Sequence, residues 1–486
     1  MTKKKNTKKR SNAKRPQATT ALTSVASHGT FGLKYDAAKS DKLRRPTYYS
    51  TLPEDQELPA RERQIVISEA RNALRNFTIA GFVLRKHLQN MSFYRFSART
   101  PDDGFNRALE ARVERWKARY NCDSAERHNF DALMGLIESH RAIDGDVGIV
   151  RLSNGKIQVI EGDRIRNSDR DNLLPATDGS RWVQGVRINK WGKALSYDLN
   201  ERQPQGGFVH ERYISAKNFD LLGYFTRIDQ IRGVSLMAPA VRFFSQLYDS
   251  IDLALAKMRF EQAFGIAATF EEGSSLTGDD ERDAQRADEF GRQAEDVFGP
   301  GVFSMILRPG EDARFLESNN PSSNFQAFTE TVIRMVFAAF DIPYSFYDGS
   351  KTNFYGSEGE FEQYIDSIEK KQQPTIEMLD EWIRDWLLPL WIVEGSITLP
   401  PGWSIDDATR DVGWRGAGLP SWRLLRNVKE ILAAVQSGIL PPTEVVDGYG
   451  YDIRRNLQDV AEIRRLAGEL GVETIIGAQA ATNVGL

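Results

Sequence analysis

The sequence has few of the residues on which catalytic and metal sites are commonly built. Its 486 residues include one cysteine and five histidines. A lone cysteine excludes a disulfide within the chain and is typical of a reducing compartment. The histidines are scattered, and no pair of them has metal-ligand spacing with Cys122. We therefore expect neither a zinc site nor a disulfide-stabilised secreted domain.

Long apolar runs and nucleophile motifs are also missing. No run approaches the roughly 18 apolar residues of a membrane-spanning helix, and the polar segment 19–27 does not resemble a signal-peptide core. Neither G-x-S-x-G nor H-E-x-x-H occurs. The segment 348–352 resembles a phosphate-binding loop, but Ser350 separates Gly349 from Lys351 and the motif's first glycine is missing. We predict a cytosolic product that is not an enzyme and has no cofactor, metal or membrane partner.

Charge is unevenly distributed in an otherwise ordinary composition. The chain is 41% hydrophobic and 27% charged, and its length allows two to four domains. Residues 1–15 carry a charge of +8 and no acid, which leaves −11 on the remainder of a chain whose total is −3. We predict that this basic arm is disordered and either contacts nucleic acid or merely aids solubility. The acidic body suits a surface along which DNA slides without sticking.

The stretch from Phe325 to Trp391 is predicted to form a helix, an exposed loop and a very long helix. Apolar residues repeat at three and four up to Phe340, and Pro343 ends that helix. Residues 344–356 are aromatic, polar and broken by glycine. A second apolar stripe then continues for about eight turns, roughly 45 Å. Pro374 lies in its middle and predicts a kink. Taken alone, the segment is also compatible with a helical hairpin in an ordinary core.

A β-hairpin is predicted between residues 147 and 160, with Asn154-Gly155 as its turn. Strands near 182–188 and 194–199 are expected to extend its sheet. The hairpin is framed by the segments 144–146 and 161–163, which hold four carboxylates: Asp144, Asp146, Glu161 and Asp163. Such carboxylates can bind a metal ion for phosphoryl chemistry, and Asp-Gly pairs are also common turns.

Further elements complete an α+β prediction. Helices are expected at 62–91, 104–120, 128–143 and 235–265, the last capped by Ser235 with Pro239 in its first turn. After the long helix, Ser396–Pro400 is predicted to be a strand, and residues 414–471 are predicted to be helical.

Three motifs resemble one known family. The first is Asn353-Phe354-Tyr355 before a long helix that contains Gln372-Gln373-Pro374. The second is the run Thr226–Ser235, which contains Arg232-Gly233 and precedes a helix. The third is the segment Ala70–Asn76. Together they resemble portal proteins of tailed bacteriophages, nearest the lambda type, over about residues 35–470. The chain departs from the family at Leu221–Phe225, where a His-x-Phe strand is usual.

The resemblance implies a multi-domain α+β portal fold that assembles into a ring, typically of twelve subunits. It comprises a mixed α/β wing, a two-helix stem, a small α/β clip, a long kinked helix and a helical crown. The implied boundaries are 1–33 basic arm, 34–234 wing, 235–265 first stem helix, 266–324 clip, 325–343 second stem helix, 344–357 tunnel loop, 358–412 kinked helix and return to the wing, 413–472 crown and 473–486 flexible tail.

The resemblance also implies a function. The ring would lie at one vertex of the capsid, where double-stranded DNA enters during packaging and leaves at infection. Implied partners are the large terminase subunit, major capsid and scaffolding proteins, and head-completion or neck proteins. The location would be the virion, and the host bacterial cytoplasm during assembly.

Two groups of site residues follow from the resemblance. At the channel constriction these are Lys351, Asn353, Phe354 and Tyr355, of which the lysine and the amide would meet phosphates without reading sequence. Phe354 and Tyr355 would contact the duplex or pack against a neighbouring loop. The acidic clip surface would dock the motor and neck proteins through Glu271, Glu272, Asp279, Asp280, Glu281 and Asp283.

Two other functions compete with this one. A metal-dependent nucleic-acid enzyme would use the four carboxylates around Asp146 and Asp163. A nonviral scaffold protein with the same helices would form no channelled ring.

Overall fold

The computed structural model describes residues 51–168, 178–263, 266–269, 304–307, 323–350, 353–416, 424–448 and 453–472. These residues form an α+β fold in which helices predominate, as predicted. Within the described ranges, no helix is both long and apolar enough to cross a bilayer. The basic arm and the acidic clip residues lie outside the described residues.

The first part of the chain is mainly helical. Its elements are α1 (Glu54–Glu57), α2 (Ala60–Asn76), α3 (Thr78–Met91), β1 (Tyr94–Ala98), α4 (Asp103–Trp116), α5 (Arg119–Cys122) and α6 (Phe130–Asp144). The single helix predicted at 62–91 is wrong, because Phe77 is extended and separates α2 from α3. The ring of Phe77 stacks on Tyr248 with centroids 4.4 Å apart, so packing holds the break in place.

The predicted hairpin is confirmed. Strands β2 (Asp146–Arg151) and β3 (Ile157–Glu161) pair antiparallel, and Gly155 occupies the turn with φ +78°. These two strands form one sheet with β8 (Phe219–Gly223), in the order β3-β2-β8.

The strands predicted to extend this sheet instead form a second one. It contains β4 (Arg181–Val183), β5 (Val186–Ile188), β6 (Ala194–Arg202) and β7 (Phe208–Ser215), in the order β4-β5-β6-β7. The single strand predicted at 182–188 is wrong, because Gln184 and Gly185 have φ angles of +45° and +89° and turn the chain. At Gly185 a Cβ would lie 2.3 Å from the backbone nitrogen of Arg166, so only glycine fits this turn.

The second half is again mainly helical. It contains α7 (Ala238–Ala263), the parallel pair β9 (Ile266–Thr269) and β10 (Ser304–Leu307), α8 (Ser323–Ala338), α9 (Phe354–Trp382), α10 (Leu388–Val393), α11 (Ile405–Thr409), β11 (Val412–Gly416), α12 (Leu424–Gln436), α13 (Pro442–Gly448) and α14 (Ile453–Leu470).

The strand predicted at Ser396–Pro400 is wrong. The strand in this region is β11, which pairs antiparallel with β1. Its Trp414 is buried against Phe96 and Phe130, with ring centroids 5.3 and 4.9 Å away. The predicted crown boundary at 413 falls within this strand, and the boundary stays a prediction.

The very long helix is confirmed, with one change at its start. The Asn353 side chain accepts a hydrogen bond of 2.7 Å from the backbone N–H of Gly356, so α9 begins at Phe354. Residues 354–357 are thus helical, although the family resemblance places them in the tunnel loop. The helix continues through Pro374 to Trp382 and is followed by a π-helical turn, Ile383–Leu387. The kink at Pro374 stays a prediction.

Three buried apolar clusters hold these elements together. One is rich in tryptophan and joins α4, α6 and β11 to the end of α9. A second packs α2 and α3 against α7, α8 and the first half of α9. The third fills the space between the two main sheets. The second cluster is the one that carries the loop described next.

Candidate channel loop and the arginine–carboxylate network

The loop between α8 and α9 begins with a well-defined helix stop. The N–H of Asp341 donates to the carbonyl of Ala338 at 3.2 Å, and that of Ile342 donates to Phe337 at 3.1 Å. Asp341 has φ +57°, the left-handed conformation that this type of helix end requires. Pro343 follows and prevents the helix from resuming. The helix stop predicted at 341–343 is confirmed.

The base of the loop is fastened to the middle of α9. The Lys371 ammonium lies 2.8 Å from the Asp341 carboxylate and donates to the Phe340 carbonyl at 2.8 Å. The Ser367 hydroxyl donates to Asp341 at 3.3 Å. One lysine thus neutralises the turn and occupies a carbonyl of the helix end, which fixes where the loop starts.

The aromatic residues of the first half of the loop pack against their own chain. The ring of Phe346 lies 5.1 Å from that of Tyr364 on α9, measured between centroids. The ring of Tyr347 lies 5.9 Å from Phe82 and 5.8 Å from Phe337. These contacts anchor residues 344–347, so the aromatic composition noted in the sequence serves packing here.

The tip of the loop is exposed. Gly349 and Ser350 are exposed, and the Asp348 carboxylate accepts a hydrogen bond of 2.9 Å from the Ser350 N–H. Asn353 is also exposed while its side chain caps α9. Lys351 and the side chains of Phe354 and Tyr355 lie outside the described residues. The placement of these four residues at a channel constriction stays a prediction.

A second candidate site forms where the two carboxylate-bearing segments meet. Asp146 is buried and accepts two hydrogen bonds from Arg232, at 2.8 and 2.9 Å. Arg63 lies 2.8 Å from the same carboxylate, and the backbone N–H of Gly233 donates to it at 2.9 Å. Arg232 also donates to the carbonyl of Gly162 at 2.7 Å. Asp146 is therefore fully enclosed by donors.

The other three carboxylates are paired in the same way. Arg71 on α2 holds Asp144 with two hydrogen bonds, of 2.6 and 2.9 Å. Arg71 also lies 2.9 Å from Glu161 and 3.2 Å from Asp163. Arg202 from β6 contacts Asp163 at 2.6 Å and also Glu161. Together with the contacts of Asp146, these pairs make a network in which four arginines face four carboxylates.

This pairing does not favour the nuclease alternative. His140, Asp144 and Glu161 each offer a ligand atom, and these atoms lie within 4.8 Å of one another. The Asp144 carboxylate, however, is already held by both His140 and Arg71. A metal ion there would have to displace Arg71, which a divalent cation would also repel. The four carboxylates meet as the sequence suggested, and they form a structural ion-pair network.

Sequence reasoning missed the arginines of this network. The run Thr226–Ser235 was noted as a landmark, and its Arg232 and Gly233 are the residues that contact Asp146. Arg63 and Arg71 lie on an amphipathic helix, where charged residues usually face solvent. No signal in one sequence marks their pairing with residues about 80 positions away.

A second buried network links α3 and α6 to α9. Glu138 contacts the His87 imidazole at 2.7 Å and Arg141 at 3.2 Å, and it accepts a hydrogen bond from Tyr224. Arg141 also donates to the backbone carbonyl of Lys371 at 3.2 Å. Pro374 has no backbone N–H, so the carbonyl four residues before it lacks an intrahelical donor. The Lys371 carbonyl is the next one along the helix. Buried polar groups therefore surround the proline-containing turn.

Burial and charge act in opposite directions on the pKa of one fully buried acid in each network, Asp146 and Glu138. Burial would raise the pKa of Asp146, but the guanidinium groups of Arg232 and Arg63 hold that pKa below its usual value. Burial would likewise raise the pKa of Glu138, and Arg141 and His87 lower it. The same burial, with the neighbouring Arg232 charge, lowers the pKa of Arg63 to about 10.

These shifts predict loss of stability in acid. A carboxylate whose folded-state pKa is depressed stabilises the fold above its unfolded-state pKa, about 3.9 for Asp and 4.3 for Glu. That contribution disappears as the pH falls through the lower folded-state pKa. We expect the thermal unfolding midpoint to fall steeply below about pH 4, as measured by circular dichroism in a pH series. A midpoint that does not change between neutral pH and pH 3 would contradict this prediction.

Comparison with known proteins now identifies the family. A family model described as phage portal protein, lambda family, matches residues 51–356, which is more than half of the chain. A probable portal protein of Halomonas phage phiHAP-1 is 27% identical over 391 residues, covering 73% of this chain and 71% of that protein.

Solved structures show a looser likeness. A chain in the virion of a native gene transfer agent particle matches with a TM-score of 0.44 and 13% identity, covering 79% of this chain and 93% of that one. A chain in the neck of a native gene transfer agent particle, with C12 symmetry, matches with a TM-score of 0.42 and 12% identity over the same shares.

The family match decides the class of protein, because it covers more than half of the chain, from α1 to the start of α9. The chain belongs to the lambda family of phage portal proteins. Its role is that of a phage portal protein, as the sequence motifs suggested.

Proposed function

We propose that this chain forms a closed ring, typically twelve copies in the lambda-type family, whose central channel conducts double-stranded DNA at one vertex of the capsid. DNA would pass through the central channel during packaging and again at ejection. Its location would be the portal vertex of the virion, and the host bacterial cytoplasm during assembly. The chain itself would act as a conduit and platform, and ATP hydrolysis would belong to its motor partner.

Uncovered apolar side chains on α7 and α8 carry the ring proposal. The two helices bury Phe244, Leu247, Val332 and Val336 in a shared core. Further apolar side chains of the two helices remain exposed, namely Leu253 (72%), Leu255 (45%), Phe328 (46%) and Met335 (47%). Several exposed apolar side chains along a pair of packed helices are expected where a second copy covers them. A head-to-tail contact of this kind closes into a ring when its rotation closes.

The experiment that tests the ring is electron microscopy of the purified protein, together with its mass in solution. The expected result is a ring with a central hole and a mass near twelve times 54.9 kDa, roughly 660 kDa. A monodisperse monomer would contradict assembly of the isolated chain.

The exposed tip of the loop between α8 and α9 would face the channel. Its base is fixed by Asp341 and Lys371, and its aromatic half is packed, so the tip projects from a rigid support. Lys351 and Asn353 would meet phosphates without sequence preference, because a lysine and an amide can both contact the backbone. Phe354 and Tyr355, at the first turn of α9, would lie beside them.

Lys351→Ala should therefore impair packaging or retention of DNA while leaving ring assembly intact. The physical reason is the loss of one positive charge at the narrowest part of the channel. The measurement is the fraction of DNA-filled heads in an assembly or packaging assay, with ring formation followed by electron microscopy. Lys370→Ala is the matched control, since Lys370 is an exposed lysine of α9 and is not part of the loop sequence. Normal DNA-filled heads with Lys351→Ala would count against the loop assignment.

The remaining partners follow from the family role. The large terminase subunit and the head-completion or neck proteins would dock on the acidic segment that contains Glu271, Glu272 and Asp279–Asp283. Major capsid and scaffolding proteins would contact the outside of the ring. Charge on the acidic segment would steer and orient these partners more than it would tighten binding.

A further inference from the structure

A cleft of about 520 Å³ lies beside the ion-pair network, and its lining includes no residue of the loop between α8 and α9. One wall is a polar face of α2 that includes Ser68, Arg71 and Arg75. The opposite wall holds Asp163, Arg166 and Phe208. The cleft therefore brings three arginines and one carboxylate to a single space between a helix and the second sheet.

The charges in this cleft do not balance. Arg71 and Asp163 belong to the network in which four arginines face four carboxylates. Arg166 stacks over the Phe208 ring at 4.5 Å and lies 2.6 Å from the side-chain amide group of Gln64. In the described part of the chain, neither Arg75 nor Arg166 contacts a carboxylate. Two positive charges are thus in surplus on a body whose net charge outside the basic arm is −11.

The arrangement favours a bound anion on physical grounds. Arg75 and Arg166 lie on opposite walls of the cleft, and neither is paired with a carboxylate in the described residues. An anion between the two walls would neutralise both charges. The planar guanidinium group donates paired hydrogen bonds to oxyanions, and stacking on the Phe208 ring restricts the orientations that Arg166 can adopt.

We propose that the cleft is an oxyanion-binding site that takes a phosphate group between Arg75 and Arg166, with the Ser68 hydroxyl as an additional donor. The phosphate is either a free ion or part of a nucleic-acid backbone, since both present the same oxygens. This site is separate from the predicted channel residues, and the proposal does not depend on ring formation.

The test is isothermal titration calorimetry of the purified full chain with inorganic phosphate, in chloride buffer at fixed ionic strength. We expect saturable binding with one site per chain. Arg75→Gln and Arg166→Gln should each raise the dissociation constant at least about tenfold, equivalent to ~1.4 kcal/mol. Arg61→Gln is the matched control, because Arg61 is exposed on the same helix and does not line the cleft.

The outcomes are distinct. Absence of saturable binding to the wild-type chain, or equal weakening by Arg61→Gln, overturns the proposal. Thermal unfolding of each variant shows whether a loss of binding reflects unfolding, and a variant that unfolds is replaced by Arg75→Lys, which keeps the charge and loses the paired donors. A short DNA duplex is titrated in parallel. Displacement of phosphate by the duplex assigns the site to backbone phosphate, and lack of displacement assigns it to the free ion.

Discussion

Asp146→Asn is expected to destabilise the chain by about 3–5 kcal/mol, because it removes the carboxylate charge that two buried guanidinium groups share. Arg63 and Arg232 both contact this carboxylate, and both are buried. The amide keeps the shape of the side chain but can no longer accept from every donor around it. The measurement is the free energy of unfolding from urea denaturation of the variant and the wild-type chain.

Asp385→Asn is the matched control for this variant. Asp385 is paired with Arg384, but half of its side chain is exposed. Removal of an exposed pair of this kind changes stability by less than about 1 kcal/mol. An Asp146→Asn chain as stable as the Asp385→Asn chain would show that the buried network contributes little. The comparison also matters for a nuclease assay. A loss of activity in the Asp146→Asn variant could result from unfolding, so the stability of the variant has to be measured alongside its activity.

Gly233→Ala is the second substitution with a large expected effect. A Cβ at this position would lie 2.0 Å from the carbonyl oxygen of Gly145, a backbone atom that cannot rotate away. Gly145 itself has φ +94°, and a Cβ there would lie 2.6 Å from the carbonyl of Gly233. The two glycines therefore allow two backbone segments to touch. The alanine variant must separate these segments and disturb the hydrogen bond from Gly233 to Asp146.

We expect Gly233→Ala to lower the stability by several kcal/mol, comparable to the loss of a buried ion pair. Gly359→Ala makes the same chemical change in the first half of α9, where a Cβ meets no atom within 4 Å. That control should be more stable by roughly 0.5–1 kcal/mol, since alanine favours a helix over glycine. Urea denaturation measures the change in the free energy of unfolding for each variant. A change of the same sign in both variants would refute the explanation by close packing.

The sequence allowed a good prediction of the elements whose signals are local. The Asn-Gly turn identified the hairpin, and apolar periodicity identified α6, α7, α8 and α9. The stop at Asp341–Pro343 was also correct. The errors lie where tertiary packing decides. Phe77 divides one periodic stretch into two helices because its ring packs on α7, and β11 is a strand because β1 is its partner.

The candidate sites show the same division. The four carboxylates around the hairpin were found from their spacing, and their proximity is confirmed by their shared arginines. Their role could not be predicted, because it depends on Arg63, Arg71 and Arg232, which come from distant parts of the sequence. The family was recognised from short motifs such as Arg232-Gly233, whose physical basis is the close contact with Gly145.

Lys371 gives the loop a mechanical property. Its ammonium forms an ion pair with the turn that starts the loop. Its backbone carbonyl accepts a hydrogen bond from Arg141, which belongs to the buried network around Glu138. A force applied to the tip would pass into α9 through Lys371 and through the contacts of Ser367 and Tyr364 with the loop, with little bending at the loop base. We expect the loop to move as a rigid unit, with bending concentrated at the turn of α9 that contains Pro374.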